Sequence, residues 1–169
     1  MEFEEITEKI DFISKNRIKN IAPDSPAELA RIIEKARPTS WREKIILGYL
    51  TSLAAEYSHP QPLKIKRKDL DYLGIEMETG TLRVGGAGIG TGTTMKGGTI
   101  VVQGKTGSET GKGMQGGKIH AEEIESIANT LGGKIITKKA GKIDKHQGAE
   151  IYINGKKYKK TIRDRIPFF

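Results

Sequence analysis

The stretch Gly80-Thr81-Leu82-Arg83-Val84-Gly85-Gly86-Ala87-Gly88-Ile89-Gly90-Thr91-Gly92-Thr93-Thr94-Met95-Lys96-Gly97 is followed at once by a near copy of itself beginning at Gly98. Gly80-Thr81-Leu82 recurs as Gly98-Thr99-Ile100, Gly117-Lys118-Ile119 and Gly133-Lys134-Ile135, and a weaker copy follows at Ala149-Glu150-Ile151. Met77, Met95 and Met114 each stand three positions before a key glycine. Gly85-x-x-Gly88-x-x-x-Gly92 is echoed one copy later by Gly104-x-x-Gly107-x-x-x-Gly111. A short, nearly constant period marks one structural unit stacked on the next, because a single unit cannot bury its own apolar face.

Each copy carries one short β-prone run: Leu63 to Ile65, Thr81 to Val84, Thr99 to Val102, Lys118 to Ala121, Lys134 to Thr137 and Glu150 to Ile153. The runs alternate inward and outward side chains over about four residues. The segments between them are too short for a crossover helix with its loops. Parallel strands at a near-constant offset therefore predict a β-helix whose neighbouring coils lie about 4.8 Å apart. An antiparallel barrel would leave the near identity of successive copies unexplained. The glycines read as corner residues, some needing positive φ and some letting backbones stack closely. The methionine column reads as interior. Where glycines are missing, Leu70-x-x-Leu73, Ile124-x-x-Ile127 and Ala140-x-x-Ile143 put apolar residues at comparable places.

Residues 1–60 have a different periodicity. Ile6, Ile10 and Ile13 lie at helical spacing. Ser25-Pro26-Ala27-Glu28 and Ser40-Trp41-Arg42-Glu43 are helix starts of the capping-box type. Three amphipathic helices are expected, packed partly on the second half or on a partner. The expected organisation is a helical segment over 1–60, a glycine-repeat β-helix over 61–160 and a basic and aromatic tail over 161–169. The fold class is mainly β, with about five or six coils.

The chain has 169 residues, a formal net charge of +8 and no cysteine, which excludes disulfides, thiolate metal sites and cysteine nucleophiles. Residues 1–60 hold 9 basic and 10 acidic side chains, and residues 61–169 hold 20 and 11, so the repeat half carries a net +9. That field favours acidic partners, whether nucleic acid, an anionic protein surface or a phosphorylated ligand. The plainer reading is a solvated lysine surface. The acidic start Met1-Glu2-Phe3-Glu4-Glu5 and the lack of a long apolar run argue against a membrane span, and a cytoplasmic location is expected. Abundant Lys, Glu and Ile are compatible with a thermophilic source.

Several motifs invite chemistry and fall short of it. Gly111-Lys112-Gly113-Met114-Gln115-Gly116 has the spacing of a dinucleotide fingerprint but precedes a strand, where the fingerprint needs a following helix. Around Gly107-Ser108-Glu109-Thr110-Gly111-Lys112-Gly113 a phosphate loop would need Gly at Thr106 and a hydroxyl at Gly113. Turn amides with Lys105 and Lys112 remain a candidate anion site. His59, His120 and His146 are scattered, and Glu122, Glu123 and Glu125 read as a solvated turn. An enzyme would have to draw on His120, Glu122 and Glu123. Lys64-Ile65-Lys66-Arg67-Lys68 and Lys156-Lys157-Tyr158-Lys159-Lys160 offer phosphate contacts with little aromatic interleaving and read mainly as surface. No metal or cofactor site is expected.

The segment Gly85 to Ile119, with its paired G-x-x-G-x-x-x-G copies followed by M-x-G-G-x-I, resembles the glycine-repeat domain found in two kinds of enzyme. One setting is the C-terminal domain of the glutamate synthase large subunit. The other is the glycine-repeat subunit of formylmethanofuran dehydrogenase. The resemblance covers about a fifth of the chain directly and about half with the degenerate copies. It implies a right-handed, single-stranded β-helix without catalytic residues that braces catalytic domains or subunits. The structural set is then Gly80, Gly85, Gly88, Gly92, Met95, Gly98, Gly104, Gly107, Gly111, Met114, Gly117 and Gly133. Implied partners are oxidoreductase or amidotransferase subunits, or further copies of the chain. The helical N-terminal segment, the small number of coils and the loss of glycines in the last copies depart from that pattern.

Overall fold

A computed structural model describes residues 1–159; the stretch 160–169, including the expected basic and aromatic tail, lies outside the described residues. Among the described residues four helices lead into seven strands. They are α1 (Phe3–Lys9), α2 (Lys15–Ile21), α3 (Pro26–Lys35) and α4 (Trp41–Ser58). The strands are β1 (Leu63–Ile65), β2 (Thr81–Val84), β3 (Thr99–Thr106), β4 (Lys118–Ala128), β5 (Lys134–Asp144), β6 (Glu150–Ile153) and β7 (Lys156–Lys157). They lie side by side in chain order, and every pair from β1 to β6 is parallel. The chain is a β-solenoid of about five turns with a helical segment before it.

The repeat offsets are the strand register. Leu63, Leu82, Ile100, Ile119, Ile135 and Ile151 are successive partners, and those from Leu82 onward are fully buried. Ile65, Val84, Val102, Ala121, Thr137 and Ile153 form a second inward column. Each buried Leu, Ile or Val rung stabilises the stack by roughly 1.5–3 kcal/mol. The residue between the columns faces out, as in the row Lys64, Arg83, Val101, His120, Ile136 and Tyr152.

The motif glycines divide into two kinds. Gly85, Gly88, Gly104 and Gly107 have ordinary φ but stack lap on lap: a Cβ on Gly104 would lie 2.5 Å from the Gly85 carbonyl oxygen, and one on Gly107 2.8 Å from the Gly88 carbonyl carbon. Gly98 represents the second kind, at φ +78°, where an L side chain is strained. Its Cβ would also meet the Met77 methyl of the previous lap at 2.8 Å; Met95 lies under Gly117 and Met114 under Gly133 in the same way. The methionine that precedes one key glycine in sequence therefore packs beneath the next key glycine in space. All three methionines are fully buried.

Strand lengths differ from the four residues the runs predict. β3 has 8 residues, and β4 and β5 have 11 each. Without the corner glycines, Ile124 and Ile127 continue as strand and point inward. Ala140 and Ile143 occupy the same places one lap on and stay half-buried, since no further described lap covers them.

The N-terminal segment has four helices where three are expected. Ile6, Ile10 and Ile13 do not share one helix: α1 stops at Lys9, and Ser14 opens α2 by accepting the Arg17 amide at 3.1 Å. Ser25 and Ser40 cap α3 and α4, accepting from Glu28 N at 3.2 Å and Glu43 N at 3.1 Å. The Glu43 carboxylate accepts the amide of Thr39 at 2.7 Å, one residue before the cap.

Helix α4 is buried almost all round from Ile45 to Ala55 because it stands in for the lap missing below the first coil. Within the stack, the Gly92 amide donates to Leu73 O of the previous lap at 2.8 Å. Gly74, the corresponding glycine of the first coil, donates to Thr51 Oγ1 of α4 at 3.0 Å. Lys96 N donates to Met77 O at 2.9 Å; Glu78 N, one lap lower, donates to Glu56 Oε1 at 2.9 Å. Ser52 Oγ donates to Ile75 O at 2.6 Å, and Lys15 Nζ joins Glu56 Oε1 at 2.6 Å to Glu76 O at 2.8 Å. A solenoid end would otherwise expose unpaired backbone groups. Among the described residues no buried side-chain nitrogen or oxygen lacks a partner.

At the other end the all-parallel expectation stops. The chain reverses at Asn154 (φ +50°) and Gly155 (φ +79°), and β7 runs antiparallel to β6. Asn-Gly with positive φ at both residues suits a two-residue hairpin turn. Tyr158 N donates to Ile151 O at 2.7 Å, so the hairpin covers the edge of β6.

Candidate functional site

The amides that would make the glycine corners into anion cradles are engaged in stacking. Gly107 N donates to Gly88 O, Thr110 N to Ser126 O, Gly111 N to Thr91 O and Gly113 N to Asn129 O, at 2.8–3.0 Å. Glu109 N donates to Ser126 Oγ at 3.0 Å. The fingerprint-like Gly111–Gly116 segment leads into β4 rather than a helix, so it has no helix N-terminus for a pyrophosphate. Lys112 pairs with Glu109 at 3.6 Å, while Lys105 stands in register with Glu123 on the next lap. An anion bound at either place would meet lysine heads without these backbone donors.

The titratable side chains are spread over the surface and core. His59 caps the C-terminus of α4 and is exposed. β4 puts His120 and Glu122 on one exposed face, but Glu122 pairs with Lys138 at 3.1 Å and no hydrogen bond joins it to His120. His146 falls in the methionine column, two laps above Met114. It is buried, with Nδ1 3.0 Å from Thr130 Oγ1 and its ring edge-on to Tyr158 at 5.8 Å. Tyr49 lies inside α4, where burial and then the Glu76 carboxylate push its phenol well above the usual tyrosine range. Among the described residues no group of three His, Asp or Glu could hold a metal ion. No described helix is long and apolar enough to cross a membrane.

Two surface features do have built geometry. The first is a groove of about 570 Å³ at the first two laps, lined by Lys64, Lys66, Lys68 and Arg83 with Gly85 and Gln103. Strand register places Lys64 beside Arg83, and none of the four cations forms an ion pair with a described carboxylate. One acid lies close: Glu34 Oε1 accepts the Lys66 amide at 2.6 Å. Arg67, in the same basic run, turns away to the helices. It donates to Ile33 O and Ala36 O and pairs with Asp69 at 2.9 Å, which holds that carboxyl below the usual aspartate range. The run Lys64 to Lys68 shows the cations in sequence; Arg83, one lap later, joins them only through the register.

The second feature is an aromatic ledge. Trp41, at the first turn of α4, is 65% exposed, yet its indole N–H donates to Tyr72 Oη at 3.1 Å. The Tyr72 ring lies against Gly90, and its amide donates to Ile89 O at 2.7 Å; Ile89 itself is 44% exposed. Lys44 and Asp71 pair beside it at 3.4 Å, and Asp71 Oδ1 accepts the Ile89 amide at 2.9 Å. The ledge is hidden in the sequence, because Trp41 looks like any residue after a helix cap. The available signal is that the chain's single tryptophan stands where a capped helix begins.

Comparison of the chain with known protein families, characterised proteins and solved structures returns no match.

Proposed function

We propose that this protein is a non-catalytic assembly module, a rigid β-solenoid that braces the catalytic components of a larger complex. The observation that carries this reading is Trp41. It is a large aromatic held in place by a hydrogen bond while most of its surface faces solvent. Anchored Trp and Tyr residues are the usual hot spots of protein interfaces, since little side-chain entropy remains to be lost on binding. Two further points support the reading. The polar side chains at the inner end of the solenoid are engaged in capping, and the glycine-repeat resemblance implies bracing of oxidoreductase or amidotransferase subunits.

Native affinity capture of the tagged chain tests it. Catalytic subunits should co-purify with the wild type, and Trp41→Ala should weaken their retention at least tenfold while leaving the circular dichroism unchanged. A chain that elutes alone at native concentration, or retention indifferent to Trp41, would remove the reading.

A second reading rests on the groove. Four cations around a concave surface fit a phosphorylated ligand or nucleic acid, and binding would then fall steeply with ionic strength. Absence of measurable binding near physiological salt excludes it.

A further inference from the structure

β5 runs from Lys134 to Asp144, but β6 pairs only with Lys134–Thr137 before turning away at Asn154. From Lys139 to Asp144, β5 has β4 on one side and no described strand on the other. Lys139, Gly141, Lys142 and Asp144 are exposed there, with Lys138 and Lys145 at the flanks. One lap lower, the matching stretch of β4 is closed by β5 itself, so the open stretch is a length of ladder without a partner strand among the described residues.

Charge along the stack indicates what would fit. Lys105, Glu123 and Lys139 are register partners on three successive laps, and Glu122 pairs with Lys138 at 3.1 Å. In that column the sign alternates from lap to lap and ends on a lysine; Asp144 is the one acid on the same edge. Opposite charges on facing strands stabilise pairing, whereas like charges directly opposite destabilise it. From Lys138 to Lys145 the edge carries four lysines and one acid, Asp144, so a second copy presenting the same edge would meet a net like charge. Edge lysines commonly blunt unwanted strand pairing, and the same repulsion selects for an acidic strand.

We infer that the open edge of β5, Lys139–Asp144, accepts an acidic extended segment of a protein partner as an added strand. The backbone ladder supplies the binding, and the lysines select the partner. This rests on the assembly reading and names the chemistry of one partner contact, on a different element from the Trp41 ledge.

The test uses the whole chain and a short blocked peptide alternating glutamate with valine, with a lysine-for-glutamate version as its counterpart. Binding is read by fluorescence anisotropy, and strand formation by hydrogen exchange. The acidic peptide should bind and slow exchange of amides within Lys139–Asp144, and the basic peptide should do neither. Lys142→Glu with Lys145→Glu should weaken acidic-peptide binding at least tenfold, while Lys19→Glu on α2 leaves it unchanged. The inference falls if the acidic peptide fails to bind, or binds without protecting β5. It falls equally if a single-stranded RNA homopolymer displaces the peptide and no protection is seen, since the lysines then act as a polyanion surface. Affinity capture separates this failure from that of the assembly reading. Subunits retained equally by wild type and the Lys142/Lys145 variant sink the edge site alone, while a wild-type chain that captures none sinks the assembly reading.

Discussion

Replacing Thr51 by valine tests whether α4 acts as the missing lap. Valine keeps the branched shape and the packing of a fully buried side chain but removes the oxygen that accepts the Gly74 amide at 3.0 Å. The same hydroxyl donates to Gly48 O at 2.6 Å, and as a helical carbonyl Gly48 O keeps its backbone partner, so that loss is minor. The main cost is one buried N–H without an acceptor, about 1–3 kcal/mol, because the valine methyl fills the place of the lost oxygen. Against a total stability on the order of 5–15 kcal/mol, this is a large fraction. Urea unfolding should show a lower midpoint with an unchanged slope, and native hydrogen exchange should show the Gly74 amide opening faster. The Gly92 amide, which donates to Leu73 O, serves as the internal control. An unchanged midpoint together with an unchanged Gly74 amide would refute the claim that α4 supplies the hydrogen bonds of an absent coil.

Further outcomes follow from the same geometry. Gly98→Ala should cost about 2–4 kcal/mol in urea unfolding, combining left-handed strain with contact against the Met77 methyl and the Gly80 carbonyl, both 2.8 Å from the new Cβ. Gly155→Ala has a similar φ of +79° but open space around it, so thermal melting should show only the strain component, about 1–2 kcal/mol. Tyr49 keeps its proton to higher pH when folded than when unfolded, so its contribution to stability is intact below about pH 10 and declines as pH rises above that. Tyr49→Phe should flatten that alkaline decline in a stability–pH series, and phenolate absorbance should show one tyrosine in the wild type that ionises only on unfolding. Arg67→Lys should loosen the contact between α3 and the first coil, because a lysine head cannot hold Ile33 O, Ala36 O and Asp69 together. Faster exchange at the C-terminal end of α3 would report it.

The solenoid, its register and its interior are legible in the chain before it folds. A near-constant offset that recurs from Gly80 to Ala149 leaves parallel stacking as the arrangement in which Leu82, Ile100, Ile119, Ile135 and Ile151 all meet. The caps at Ser25 and Ser40 are equally legible, because capping depends on residues three apart in the chain. How the ends are finished, and what the surface offers, is settled by packing alone. That Thr51, Ser52 and Glu56 serve as a substitute lap depends on where α4 docks. The Trp41–Tyr72 bond joins a helix to a coil, Lys64 meets Arg83 one lap away, and the edge of β5 lacks a partner strand among the described residues because β6 turns back at Asn154-Gly155. Repeats encode contacts between equivalent positions, so a period in the chain reveals them. Contacts between unlike elements have no period, and their partners are known only once the chain has folded.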